Sequence, residues 1–206
     1  MSGTVEYRGS LRTWRERIAR WVARAAPEDL LNVDIFYDFR PVHGDSRLAA
    51  ELWHEAWQAA GEAPGFLRLL AESGSGREPP IGFFGKVRTE DGRVDLKRYG
   101  LWPIVESARL MALRHGVARR STADRLEGVR ALGIGGAKDL SEAAEAHERL
   151  LKLILRAQLR DIHSGAPASN RVPLSIATGD GGAAQLRADL RLAASLTELA
   201  RDQIAP

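Results

Sequence analysis

Apolar residues recur at helical spacing along most of this 206-residue chain, and this pattern limits the fold more than any other feature. The first such segment places six residues on one helical face: Leu11, Trp14, Ile18, Trp21, Val22 and Ala25. Ser10 is placed to cap this helix, and Pro27 to end it. Similar patterns predict helices at about 45–61, 64–72, 102–116, 122–132, 140–163 and 182–204. Long amphipathic helices with short connections predict an antiparallel bundle.

Two of these helices have apolar rows that we expect to be buried. In helix 45–61 the inward residues are predicted to be Leu48, Leu52 and Ala56, beside Trp53 and Trp57. In helix 140–163 they are predicted to be Leu151, Ile154, Leu155 and Ile162, with Gln158 on the same row.

The stretch NVDIFYDFRPVHGD, residues 32–45, has a different pattern. Its alternation predicts a β-strand whose buried side carries Val33, Ile35, Tyr37 and Phe39. Asp34 and Asp38 fall on the opposite side. Because a strand without neighbours exposes its edge, we expect it to pair with a second copy, dock beside the next hairpin, or pack against the first helix.

A β-hairpin is predicted at 83–98, in FFGKVRTEDGRVDLKR. Asp91 and Gly92 suit a two-residue type I′ turn, which fixes the register. The facing pairs are then Glu90 with Arg93, Arg88 with Asp95, Val87 with Leu96, and Lys86 with Lys97. Because like charges repel across a ladder, the two lysines require screening by water or a bridging anion.

Composition and charge exclude several classes of function. The net charge is +3, and only four of the 30 basic residues are lysines. The 27 acidic residues are interspersed, so no nucleic-acid-binding arm is indicated. The sequence has no cysteine, no apolar run long enough to span a membrane and no apolar signal-peptide stretch at its start. These properties are typical of a cytoplasmic protein.

The order of these segments resembles the C-terminal part of the bacterial nucleotidyltransferases related to the PII-protein uridylyltransferase. The resembling stretches are EYRGSLRTWRERIARWV, NVDIFYDFRPVHGD, PPIGFFGKVR, VDLKRYGLWPIVESARLMAL, STADRLEGVRALG and LRAQLRDIHSGAPASNRV, within about residues 5–172. In that family a helical substrate-binding domain follows the nucleotidyltransferase domain. The resemblance therefore implies that residues 1–44 are a remnant of the transferase domain and residues 45–206 the substrate-binding domain.

The fold expected from pattern and resemblance together is mainly α. It is an antiparallel helical bundle with a small β-hairpin and one leftover strand of a nucleotidyltransferase-type sheet. The sequence lacks the Asp-x-Asp pair with which such enzymes hold two metal ions. Before residue 30 it also has no Gly-Ser turn that matches the one with which they hold the triphosphate. We therefore expect a domain that recognises the acceptor of nucleotidyl transfer and is not catalytic alone.

The resemblance also implies cofactors and partners. No cofactor is expected in this chain alone, whereas Mg2+ and a nucleoside triphosphate are expected for the full enzyme. The expected partners are a protein acceptor or upstream nucleotidyltransferase and regulatory domains, with a homodimer through the exposed strand as a further option. Neither a membrane nor a nucleic acid is expected as a partner.

Asp38 is the candidate for the third catalytic carboxylate, which would hold a metal ion or act as a base. Asp34 matches the family less well, and the alternative for Asp38 is a structural pair with Arg40 or a helix N-terminus. The candidate substrate-binding residues are Lys86, Arg88, Asp95, Lys97, Arg109, Arg125, Arg156, Gln158 and Asn170. Each has a structural alternative; for Arg109 it is an ion pair with Asp95 or Glu106.

Two rival functions stay open at this point. The first is a regulatory module that binds a protein partner through Lys86 and Lys97. The second, less favoured, is a helical RNA-processing domain. An Arg-to-His spacing of such proteins occurs at both Arg109–His115 and Arg156–His163, and two matches in one arginine-rich chain show how easily it arises by chance. The histidines have no zinc-type spacing.

Overall fold

The computed structural model describes residues 8–74, 78–179 and 182–204, without the side chains of Leu31, Asp34 and Ala137. The chain is mainly α-helical, as the sequence predicts. The helices are α1 (Leu11–Arg24), α2 (Pro27–Tyr37), α3 (Ser46–Gly61), α4 (Pro64–Ser73), α5 (Trp102–Arg114), α6 (Thr122–Ala131), α7 (Ala137–His163), α8 (Leu174–Ala177) and α9 (Ala183–Asp202). A π-helical turn, Lys97–Leu101, leads into α5, and two short strands, β1 (Arg93–Asp95) and β2 (Arg171–Pro173), pair with each other.

Helix α5 lies at the centre of the fold, in contact with α3, α4, α6 and α9. Its residues Ile104, Ala108, Met111 and Ala112 are completely buried. A helix that is apolar on nearly all sides is stable only when other helices surround it. Helix α7 packs against α6 and α9, while α1 packs against α2 and α3. One hydrophobic core joins residues from all of these helices.

The first helix begins as predicted, because the Ser10 hydroxyl accepts a hydrogen bond from the Thr13 N–H at 3.2 Å. Pro27, however, does more than end this helix. The chain turns at Ala25, whose φ is 47°, and Pro27 then opens α2. Proline is favoured in the first helical turn because its missing N–H would have no helical partner there.

The predicted strand at 32–40 is wrong, since residues 32–37 form the second half of α2. Leu30, Val33 and Tyr37 recur at spacings of three and four and are buried, whereas Ile35 is exposed. Packing against α1 and α3 overrides the β-propensity of this stretch. Residues 32–37 are therefore not a leftover strand, and the segment packs against α1 as a helix. A homodimer stays a prediction, without a strand edge in this segment to form it.

The predicted hairpin at 83–98 is correct only at its turn. Asp91 and Gly92 have φ angles of 50° and 70°, as a type I′ turn requires, and Glu90 bridges to Arg93. Beyond that pair, β1 turns away and forms an antiparallel ladder with β2, which places Asp95 opposite Arg171. The predicted facing pairs Arg88–Asp95, Val87–Leu96 and Lys86–Lys97 are therefore wrong. The backbone of β1 pairs with β2, which is distant in the sequence, and not with residues 86–88 as predicted.

The buried face of α7 also differs from the prediction. Leu151, Leu155 and Ile162 are 44%, 56% and 61% exposed, and Leu48 on α3 is 48% exposed. Of the four residues predicted to be inward, Ile154 is buried, in a row with Leu140, Ala143, Ala146, Leu150 and Ala157. Small alanines let α7 approach α6 and α9 closely, so the larger leucines point outward. Among the described helices, none is long and apolar enough to cross a lipid bilayer.

Candidate functional site

The C-terminal end of α2 is held firmly against α3. The Tyr37 hydroxyl donates to the Ala56 carbonyl at 2.9 Å, and the Trp53 indole N–H donates to the Tyr37 carbonyl at 3.0 Å. Both aromatic side chains are buried. Asp38 follows as the residue that ends the helix, so these bonds determine where its carboxylate lies.

Asp38, at the end of α2, forms two ion pairs, one with α5 and one with α6. Arg109 of α5 donates to Asp38 Oδ2 at 2.5 Å, and Arg125 of α6 donates to Asp38 Oδ1 at 2.7 Å. The two arginine side chains are 5% and 1% exposed, whereas the Asp38 side chain is 43% exposed. Two buried guanidinium groups thus share one carboxylate at the protein surface. Asp38 is thus a partner of Arg109 that the sequence, which suggested Asp95 or Glu106, did not point to.

Arg125 has further contacts that fix its position. Its Nε–H donates to the Arg119 carbonyl at 2.9 Å, and its guanidinium lies 5.3 Å from the centre of the Trp57 ring. A buried arginine with these contacts is a structural element of the core, since little of it can reach a ligand.

The surroundings of Asp38 do not fit a divalent metal ion. Both carboxylate oxygens already accept hydrogen bonds from guanidinium groups, whose positive charges oppose a second cation. Among the described residues no three His, Asp or Glu side chains lie together as a metal site. The other candidate carboxylate, Asp34, lies outside the described side chains. The two arginine partners therefore argue against the predicted role of Asp38 as a ligand of Mg2+.

Next to this ion-pair cluster is a pocket of about 550 Å³ between α2, α5 and α7, which we call the central pocket. Its lining residues are Ile35, Asp38, Lys97, Leu101, Trp102, Val105, Arg109, His147, Leu151, Ile154 and Asn170. The volume lies within the range of small-ligand sites, and a few polar groups among apolar walls are typical of such sites.

The central pocket has more positive than negative charge. Lys97 is an exposed residue of the π-helical turn. It lines the pocket together with Arg109 and with Asp38, the counter-ion of Arg109. Burial lowers the pKa of His147, so its imidazole is neutral near pH 7 and can donate or accept one hydrogen bond. Asn170 accepts from the Gln158 amide at 3.3 Å. The charge balance favours an anionic group in this pocket.

The structure brings together some of the predicted site residues and separates others. Asp38, Lys97, Arg109 and Asn170 all line the central pocket, and Gln158 contacts it through Asn170. The other predicted residues lie elsewhere. Arg88 and Asp95 line a separate pocket of about 310 Å³, and Arg156 lines a third pocket of about 290 Å³. Lys86 is exposed, and Arg125 is buried. Asp95 accepts from the Arg98 N–H at 2.9 Å, which makes it a local cap of the π-helical turn.

Two residues of the central pocket were missed by the sequence reasoning, Trp102 and His147. Trp102 begins α5, and His147 lies one helical turn before Leu151 on α7. The predicted antiparallel bundle could have pointed to them, because residues on facing helices line the same groove. Arg109 and His115, one of the two Arg-to-His pairs considered for RNA processing, have different partners. Arg109 binds Asp38, and the His115 ring forms a hydrogen bond with Gln203 at 2.8 Å.

The fold and the central pocket are those of a helical binding domain. A family model described as "Putative nucleotidyltransferase substrate binding domain" matches residues 64–203. The match covers more than half of the chain, so the chain belongs to this family, and the resemblance in the sequence is confirmed. Comparisons with curated proteins and with solved structures found no match.

Proposed function

We propose that this chain recognises the acceptor of a nucleotidyl transfer, in the manner of proteins related to the PII-protein uridylyltransferase, and does not transfer the nucleotide itself. Membership of the substrate-binding family supports the general class. The observation that carries the proposal is the convergence of Lys97, Arg109 and Asn170 on one pocket, although the sequence separates them by up to 73 positions.

The chemistry of the central pocket suits an anionic group on a protein acceptor. Lys97 supplies an exposed ammonium group, Asn170 supplies an amide, and Trp102 and Leu151 supply apolar walls. Asp38 acts as the counter-ion that holds Arg109 in place rather than as a metal ligand. In this proposal another domain binds Mg2+ and the nucleoside triphosphate, and the complete protein acts in cytoplasmic signal transduction in a bacterium.

The proposal can be tested with a purified PII-type signal protein as the probe. We expect it to bind the chain, and we expect Lys97→Glu to weaken binding at least about tenfold by reversing one charge in the pocket. Lys138→Glu is the matched control, because Lys138 is an exposed lysine at the far end of α7 and should leave the affinity unchanged. Incubation with MgCl2 and labelled UTP or ATP should transfer no nucleotide to the probe.

Two results would contradict this proposal. Transfer of nucleotide by the chain alone would show that it is catalytic. Loss of binding in Lys86→Glu as well as in Lys97→Glu would favour the rival function, a regulatory interaction module that binds its partner through both lysines.

A further inference from the structure

An uncovered apolar row runs along the C-terminal half of α7. Leu151, Leu155, Leu159 and Ile162 are 44%, 56%, 58% and 61% exposed. Their spacings of four, four and three residues place them on one face, over a length of about 17 Å. We call this row the α7 stripe. Four large aliphatic side chains in one exposed row are typical of a protein contact surface rather than of a solvated helix.

One edge of the α7 stripe is positively charged. Lys152, Arg156 and Arg160 each follow a stripe leucine by one position, so they share one side of it. Lys152 is paired with Glu148 at 2.5 Å. Within the described ranges neither Arg156 nor Arg160 has a carboxylate partner, and both are exposed. The other edge has the neutral amide of Gln158, hydrogen-bonded to Asn170.

We propose that the α7 stripe binds an amphipathic helix of a partner protein that has acidic residues along one edge. The leucines would pack into the apolar face of that helix, at its i, i+4, i+8 and i+11 positions. Arg156 and Arg160 would form ion pairs with the acidic edge, which sets the orientation of the partner. Leu151 belongs both to the stripe and to the central pocket, so the bound helix would end at the mouth of that pocket.

The charges beside the α7 stripe suit an acidic helix better than a second copy of this chain or an anionic lipid surface. In an antiparallel pair of two copies of this chain, twofold symmetry would place Arg156 and Arg160 beside the same arginines of the second copy. An anionic lipid surface would meet Glu145 and Glu148, which lie beside the N-terminal end of the stripe. An acidic helix avoids both conflicts when its carboxylates lie opposite Arg156 and Arg160 and not beside Glu145 and Glu148.

The test uses two synthetic helical peptides of about 18 residues, with the same leucine row and either glutamates or lysines along one edge. The purified chain should bind the glutamate peptide at least about tenfold more tightly than the lysine peptide. The double variant Arg156→Glu, Arg160→Glu should reverse this preference. Leu155→Glu with Leu159→Glu should abolish binding, whereas Leu132→Glu, at an exposed leucine on another helix, should not change it.

Several outcomes would overturn the proposal. Equal affinity for the two peptides, or no binding of either, would mean that the basic edge does not select a partner. A dimer in sedimentation that Leu155→Glu converts to a monomer would mean that a second copy covers the stripe. Binding to vesicles of phosphatidylcholine and phosphatidylglycerol, without binding of either peptide, would mean that lipid does. Circular dichroism of each variant checks that it is folded. None of these variants changes Lys97, so failure here leaves the acceptor proposal standing.

Discussion

Replacement of Asp38 by asparagine tests whether this residue stabilises the fold or serves chemistry. Asp38 accepts one hydrogen bond from each of two buried arginines, at 2.5 and 2.7 Å. A buried hydrogen bond to a charged group contributes roughly 1.5–3 kcal/mol. Because the Asp38 side chain is 43% exposed, water weakens both bonds. We halve the sum and expect Asp38→Asn to lower the free energy of unfolding by about 1.5–3 kcal/mol.

Urea unfolding followed by tryptophan fluorescence measures this loss. The midpoint should move down by about 1 M, with little change in the slope, because the native surface is the same. Asp202→Asn is the control, since Asp202 is exposed at the end of α9. We expect this control to change the free energy of unfolding by less than about 0.5 kcal/mol.

Two outcomes would refute the structural role of Asp38. One is an unfolding free energy for Asp38→Asn that equals the wild-type value. The other is a rise in the melting temperature of the wild-type chain in millimolar MgCl2 that Asp38→Asn abolishes. That second result would make Asp38 a metal ligand despite its two arginine partners.

Two further predictions concern pH dependence and close packing. Burial lowers the pKa of His147 below 6.5. As the pH falls, His147 therefore binds a proton in the unfolded chain before it does so in the folded chain, and the free energy of unfolding should decrease below about pH 6.5. Urea unfolding at several pH values should show a smaller decrease for His147→Gln than for the wild type. An equal decrease in both would contradict this prediction. Gly61→Ala would place a Cβ 2.8 Å from the Leu113 carbonyl oxygen and should cost about 1–3 kcal/mol. Gly65→Ala has no heavy atom within 4 Å, so thermal melting should show no loss, and an equal loss in both variants would refute the packing argument.

Helices with strong local signals could be predicted to within a few residues. The segment predicted at 64–72 is α4, Pro64–Ser73, because Pro64 at its start and a regular apolar face mark it locally. The segment at 32–40 was misjudged for a physical reason. Residues four apart, such as Val33 and Tyr37, lie on the same side of both a strand and a helix. Ile35 and Phe36 separate the two patterns, since Ile35 is exposed and Phe36 packs against Trp14 and Trp21.

Contacts between distant residues could not be derived from spacing. Asp38 and Arg109 are 71 positions apart, and no local pattern joins them. Asp38 was a candidate because of the family resemblance, and Arg109 because of its partly inward place on its helix. The structure joins them in an ion pair. In the same way, the Asp91-Gly92 turn was predictable, but the pairing of β1 with β2 depends on a strand about 80 residues away.

The Asp38 cluster also affects how this domain should be expressed as a fragment. The family match begins at residue 64, which would be a natural place to start a shortened gene. Such a fragment would lack Asp38 and the α2–α3 contacts that place it. Arg109 and Arg125 would then lose this counter-ion, and α5 would lose its contacts with α3. We expect the fragment to aggregate or unfold, whereas one that begins before α1 should yield folded protein.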